Sequence, residues 1–230
     1  MIGSHEAVTK ASWLAVLAAL LRHPSVQWLS EVDALTAAEN KLTQYTKAAD
    51  LGIAHPRTLV ANGPDSLDLM GEDLVAKPLG PGHYQDADGR WLTVFTDTFD
   101  PDEQGHRQLL NGPPFIVQER ILATNHLRVT TVGSDAWVFR LPADDLPTDW
   151  RQVEQGHHDW TRTEDVDLCR QAVTLAHAHD LGYSSQDWIE TESRQVFLDL
   201  NPGGQWLFLP NPGANEITQS IASWLEEDLQ

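Results

Sequence analysis

Two hydrophobic periods alternate along the chain. From Ser12 to Leu21 the residues Trp13, Leu14, Val16, Leu17, Leu20 and Leu21 recur at the spacing of one helix face, predicting an amphipathic helix that Pro24 ends. A short run through Trp28 leads to a second helix, expected from about Thr36 to Leu51 and closed by Gly52, a residue suited to the turn after a helix. Strand-like runs follow: Ile53–Val60 after Pro56, Asp73–Leu79, Trp91–Thr96 and Phe115–Ile121. Gly63-Pro64 marks a turn, and Ser66–Met70 is a short helix at best. Leu127–Gly133 and Ala136–Arg140 read as an antiparallel pair around Ser134-Asp135. Ala143–His158 is loop-like, and Glu164–Asp180 is a helix with acids in its first turn and histidines in its last. A hairpin over Ser185–Asn201 and a closing helix from about Asn215 to Leu229 complete the chain. Interspersed helices and more strands than a doubly wound sheet needs give an α+β class.

Composition narrows the partners. With 34 acidic against 15 basic residues in 230, the formal charge is -19, a field that repels phosphate polymers and anionic lipid. Nucleic acid and membrane surfaces are therefore not the expected partners. Nine tryptophans and 41% hydrophobic residues require a packed core. The single cysteine, Cys169, excludes an internal disulfide and sits in a helical pattern as a small apolar residue. Trp13–Leu21 is too short to span a bilayer and lacks a secretory cleavage pattern, so a cytoplasmic protein is expected.

The chemistry concentrates in the hairpin. With the turn centred on Ser193, Asp187 lies opposite Asp199, and alternation puts Asn201 on the same face as Asp199. Facing carboxylates repel unless a cation joins them, and carboxylate and amide oxygens suit magnesium, which commonly shares itself with substrate phosphates. Scattered acids on a solvated hairpin would give the same spacing, and spacing alone does not choose between the two. Upstream, Lys77 stands near the end of a buried strand and is followed by a loop with Gly80, Gly82 and Gly89, whose backbone N–H groups can approach an anion. The loop fits no Walker pattern. His157 and His158 have no Cys or third His near enough in sequence to suggest zinc.

Taken in order, Asn40-Lys41, Gly52-Ile53, Pro56-Arg57-Thr58, Val75-Ala76-Lys77-Pro78, Gln118-Glu119, Leu127-Arg128-Val129-Thr130, Asp149-Trp150-Arg151, Asp187 and Asp199-Leu200-Asn201-Pro202 resemble ATP-grasp ligases over roughly Ala38–Leu229. Ala76-Lys77-Pro78-Leu79, the Gly80–Gly89 loop and Asn201-Pro202 with Gln205-Trp206 resemble, more narrowly, the graspetide peptide maturases, of which microviridin ligases are the best-known members. The resemblance implies an ATP-grasp fold, two α+β lobes clasping a nucleotide, over residues 38–230, with 1–37 the remnant of an N-terminal domain. It implies ATP and Mg2+ as cofactors and a ribosomal precursor peptide, leader and core, as partner. Lys41 and Lys77 would contact the phosphates, and backbone groups at Gln118 and Glu119 would read the adenine edge. Arg128, Arg140 and Arg151 would face the γ-phosphate and an acyl phosphate, and Asp187, Asp199 and Asn201 would hold magnesium. Two departures stand out: the common pattern has Glu where Asp199 stands, and only forty residues precede Lys41 where such proteins carry a further domain. A homodimer, or a separate polypeptide supplying that domain, is one expectation that follows. A ligase for a free amino acid or small amine, and a non-catalytic partner subunit, are the rival functions.

Overall fold

The computed structural model describes residues 3–63, 67, 70–80, 82–100, 103, 106 and 112–227. The first helix, α1 (His5–Leu21), starts earlier than its apolar pattern because Ser4 caps it, Oγ accepting from Ala7 N at 3.1 Å. None of its side chains is buried. The helix expected over Thr36–Leu51 is two helices, α2 (Val32–Ala38) and α3 (Lys41–Asp50). Asn40 divides them: its backbone is extended and its Oδ1 accepts from Leu42 N and Thr43 N, at 3.0 and 3.3 Å. An asparagine offers the backbone this alternative to helix, which an apolar count does not register.

Two antiparallel sheets carry the rest. In the smaller one β1 (Thr58–Ala61), β6 (Phe115–Glu119), β2 (Leu74–Pro78) and β5 (Asp97–Phe99) lie in that spatial order. Ala61, Leu67, Met70, Leu74, Phe99 and Val117 form its core. A two-stranded ribbon, β3 (His83–Gln85) with β4 (Trp91–Thr93), projects from it. The strand expected over Trp91–Thr96 therefore stops at Thr93, and the chain resumes as β5. The helix expected over Ser66–Met70 lies outside the described residues except for Leu67 and Met70.

The larger sheet runs β11 (Gln195–Asn201), β10 (Tyr183–Glu190), β7 (Asn125–Val132), β8 (Asp135–Pro142), β9 (Thr161–Thr163). Its two faces bury different sets, as the period of two requires. One face carries Leu127, Val129, Val138, Trp188 and Phe197 against α3 and α4 (Val166–Ala178). On the other, Phe139, Leu141, Trp150, Trp160 and Tyr183 pack with Ile217 of α5 (Gly213–Glu227). The end expected for that helix, Leu229, lies outside the described residues. Ala38 is fully buried in the first cluster with Ala34 and Leu35 against it, so a division at residues 37 and 38 cuts through α2, which belongs to this lobe. The segment expected as loop, Ala143–His158, holds a 3-10 turn at Trp150–Gln152 and a one-turn helix at Gln155–His158. Among the described residues no helix is long and apolar enough to cross a membrane.

The hairpin β10–β11 keeps the register read from its sequence at its outer end: Asp187 pairs with Asp199 and Ser185 with Asn201. Between Asp187 and Trp188 the ladder shifts by one residue, so Trp188 meets Phe197. This bulge satisfies both halves at once, carboxylates facing each other at one end and aromatic side chains buried at the other.

Candidate active site

A cleft of about 800 Å³ runs between the two sheets, and most of the residues singled out in the sequence line it. Lys41 reaches it from the first turn of α3, which Asn40 starts at that point, and its Nζ lies 2.5 Å from Asp199 Oδ1. Lys77 comes from β2 on the facing wall. Its Nζ donates to Tyr45 Oη at 2.5 Å and to the Leu198 carbonyl at 3.3 Å. Burial pulls the Lys77 ammonium down from its ordinary range, while Asp199 and Asp187 pull the other way. Tyr45, one turn after Lys41 on the same helix face, was not singled out in the sequence, although its spacing from Lys41 is the signal. Burial raises its phenol well above the usual value, so it stays protonated.

Arg128 stands beside Asp187 in the ladder, with Nη1 to Oδ1 at 2.7 Å, and its Nη2 reaches the Gln205 carbonyl at 3.4 Å. Its Nε, Thr130 Oγ1 and Ser185 Oγ are buried without a hydrogen-bond partner. Thr130 and Ser185 are register partners beside it, so a polar seam lies under this end of the sheet. A Cβ on Gly204 would sit 2.6 Å from Ser185 Cβ and 3.1 Å from Arg128 Nη2, so only glycine lets that turn close over the arginine. His126, two residues before Arg128, also lines the cleft. Burial lowers its imidazole below the ordinary value against the pull of Asp187 and Asp149.

Arg151 forks onto Asp149, Nε to Oδ1 at 2.8 Å and Nη2 to Oδ2 at 2.6 Å. Asp149 Oδ2 also accepts from Thr96 N at 3.2 Å, and Thr96 stands between β4 and β5. This buried carboxylate thus ties the segment leading into the small sheet to the wall of the large lobe. Burial works against its charge, but Arg151 and the Thr96 and Arg151 N–H groups hold Asp149 below the usual carboxylate range. The same partner raises the Arg151 guanidinium.

Arg140 is a correction. It pairs across the ladder with Leu127, whereas Arg128 pairs with Phe139, so the two arginines occupy opposite faces of the sheet. Arg140 Nη2 lies 3.2 Å from Glu190 Oε1, and the residue is not part of the cleft wall. Gln118 and Glu119 do line the cleft, but the expectation for their backbone changes. Gln118 is buried in the middle strand with Nε2 donating to Thr58 Oγ1 at 2.7 Å. Glu119 N donates to the Arg57 carbonyl at 3.1 Å, and its Oε1 accepts from Arg57 N at 3.0 Å. That N–H is therefore engaged, and the wall continues with Ile121, Leu122 and Ala123.

Asp187, Asp199 and Asn201 all line the cleft. Among the described residues no three His, Cys, Asp or Glu side chains gather as a metal cage. The two opposed carboxylates each have one oxygen on a cationic side chain, Arg128 or Lys41. Asn201 Oδ1 accepts from Gly203 N at 2.9 Å. This hard-oxygen set fits a magnesium ion that completes its coordination with phosphate and water better than a caged structural metal.

The architecture has solved counterparts. A RiPP-associated ATP-grasp ligase of Chryseobacterium gregarium, in complex with ADP and a leader and core peptide, matches 99% of this chain and 71% of its own at TM-score 0.87 and 24% identity. The macrocyclase MdnC of Microcystis aeruginosa MRC, bound with precursor peptide MdnA, matches 99% and 75% at TM-score 0.79, also at 24% identity. This chain has the ATP-grasp fold. D-alanine--D-alanine ligase of Bacillus anthracis shares the ATP-grasp architecture more distantly, at TM-score 0.62 and 12% identity over 84% of this chain and 69% of its own. No protein-family model and no curated protein matches the sequence.

Proposed function

We propose that this chain is an ATP-dependent peptide ligase. It activates Asp or Glu side chains of a ribosomal precursor peptide as acyl phosphates and closes ester or amide macrocycles. The observation that carries the proposal is the cleft itself, where Lys41 and Lys77 enter from two elements toward the opposed pair Asp187 and Asp199. The solved structures similar to it across nearly its whole length include ligases bound to ADP or to precursor peptides, which supports a peptide as the substrate class.

A carboxylate is a poor electrophile, so the first step moves the γ-phosphoryl group of ATP onto a carboxylate oxygen, with ADP leaving. Lys41 and Lys77 supply compact positive charge for the phosphates. Asp187, Asp199 and Asn201 would hold magnesium, which neutralises charge that builds on the transferring phosphoryl oxygens. Arg151 lines the same cleft and Arg128 lies behind it on Asp187, and a guanidinium at the cleft stabilises the acyl phosphate. In the second step an acceptor hydroxyl or amine forms a bond to the acyl carbon. The C–O bond to phosphate breaks, the electron pair leaves with phosphate, and the acceptor proton passes to solvent. The acyl phosphate must be kept from bulk water. The β3–β4 ribbon is the proposed cover: His83 and Thr93, its paired end residues, line the cleft mouth with Gly82 and Val94. The nucleotide-clasping body in this reading takes in α2 and so begins at about Val32, and the protein acts in the cytoplasm.

The test is mass spectrometry of a candidate precursor incubated with the protein, ATP and Mg2+. Loss of one water per ring supports macrocyclisation. Gain of the mass of an added free amine supports the rival ligase. ADP formation that is unaltered in Asp187→Asn and Asp199→Ala relative to the parent supports a non-catalytic partner subunit.

A further inference from the structure

The two lysines of the cleft are held in different ways. Lys41 rests on a carboxylate, Asp199, which cancels part of its charge. Lys77 rests on two neutral oxygens, Tyr45 Oη at 2.5 Å and the Leu198 carbonyl at 3.3 Å, and among the described residues its ammonium meets no carboxylate. Neutral acceptors orient an ammonium and leave its charge whole. Lysine has three N–H donors, so two are engaged within the protein and the third remains for a ligand in the cleft that Lys77 lines.

Tyr45 is built as a fixed post for this contact. It is 6% exposed and packs in the core of the large lobe with Ala48, Ile53 and Phe197. Its ring stands 6.2 Å from that of Phe197, edge to face, and 5.7 Å from that of His55. Its hydroxyl donates to the Leu198 carbonyl at 2.7 Å, which turns the oxygen lone pairs toward Lys77. Lys77 itself comes from β2 of the small sheet, so the bond crosses the cleft from one lobe to the other.

We propose that Tyr45 is a positioning residue: its phenol holds the Lys77 ammonium across the cleft with one N–H presented to a nucleotide phosphate. The inference rests on the reading of this cleft as a nucleotide site. A lysine carries its charge on a flexible four-carbon stem, whose rotamer freedom is lost when the ammonium binds an anion. Holding the ammonium beforehand reduces that loss at the moment of binding. Tyr45 acts through Lys77 and touches no phosphate in this account.

Isothermal titration calorimetry of the full chain with ADP in excess MgCl2 tests this through a double-mutant cycle. Tyr45→Phe keeps the ring against Phe197 and His55, and the Leu198 carbonyl keeps Lys77 as a donor. The variant is expected to weaken ADP binding about tenfold, the effect of losing a hydrogen bond to a charged group. Adenosine, measured by competition with ADP, is expected to stay within twofold because it has no phosphate. In a Lys77→Met background the same substitution is expected to change ADP affinity by less than twofold, since no ammonium is left to hold. A general distortion of α3 would instead weaken adenosine and ADP alike and add to the loss from Lys77→Met. Either of those results, or an unchanged ADP affinity in Tyr45→Phe, overturns the inference and leaves the nucleotide site standing. A Tyr45→Phe chain that loses the native circular dichroism spectrum overturns it too, because the phenol would then serve the fold. A parent chain that binds no ADP overturns both this inference and the nucleotide reading beneath it.

Discussion

Lys41 Nζ lies 2.5 Å from Oδ1 of Asp199, whose own partner across the ladder is Asp187. A lysine thus holds one corner of the carboxylate pair, and a nucleotide phosphate is the natural competitor for that ammonium. Lys41→Met is expected to weaken Mg–ADP binding by about 1.5–3 kcal/mol, the range for hydrogen bonds to charged groups, or roughly 10- to 100-fold in Kd. Isothermal titration calorimetry checks it, and an unchanged Kd removes Lys41 from the nucleotide site.

Asp199 has one methylene fewer than the Glu of the common pattern. Asp199→Glu is expected to lower the magnesium concentration for half-maximal ATP turnover several-fold, whereas Asp199→Ala abolishes turnover. A magnesium titration of ADP release distinguishes these outcomes. An Asp199→Glu variant that needs more magnesium would show that the surrounding wall is shaped for the shorter acid.

Arg128 and Arg140 make a controlled pair, since one pairs with the cleft residue Asp187 and the other lies on the opposite face of the same sheet. Removing Arg128 leaves Asp187 with an uncompensated, partly buried charge, and Arg128→Ala is expected to cost about 3 kcal/mol of stability along with nucleotide affinity. Arg140 is 40% exposed in its side chain, so Arg140→Ala is expected to cost at most about 1 kcal/mol, or about 2–4 °C in Tm, with nucleotide affinity intact. Thermal melts with and without Mg–ADP separate the two.

Asp149 links Thr96 N to Arg151, so its loss frees the approach to β5. Asp149→Asn is expected to speed amide hydrogen exchange at Thr96 by about tenfold or more while leaving the β7–β8 amides unchanged. Uniform acceleration across the large sheet would instead mean a global loss of stability.

His179 supplies a pH dependence. It is 2% exposed with neither ring nitrogen hydrogen-bonded, and burial, then Lys47, lowers its pKa to about 4. Because the folded value lies below the unfolded one near 6.5, the unfolded state binds the extra proton. Stability from this group is therefore complete above pH 6.5 and lost as pH falls toward 4, by up to about 3 kcal/mol. Urea melts from pH 7.5 to 4 should show that slope in the parent and a flatter one in His179→Gln.

The hairpin was readable because period-two alternation and a polar turn fix which side chains oppose, and Asp187 against Asp199 needed only the turn centre. The split at Asn40 lay in one side-chain cap that hydrophobic counting passes over. Arg140 was misplaced for a different reason. Which face an arginine occupies depends on cross-strand register, and two arginines twelve residues apart in a hairpin gain a common face only if the turn length has the right parity. The solvent-facing attitude of α1 was out of reach altogether, since an apolar stripe is the same in sequence whether it meets its own core or another molecule.

The ladder shift between Asp187 and Trp188 isolates the two ends of the hairpin from each other. Beyond it, the tip at Thr191–Arg194 can be lengthened, or can carry a reporter group, without altering how the carboxylates are aimed, provided Trp188 and Phe197 keep their seats. That makes this tip a convenient handle for labelling the protein.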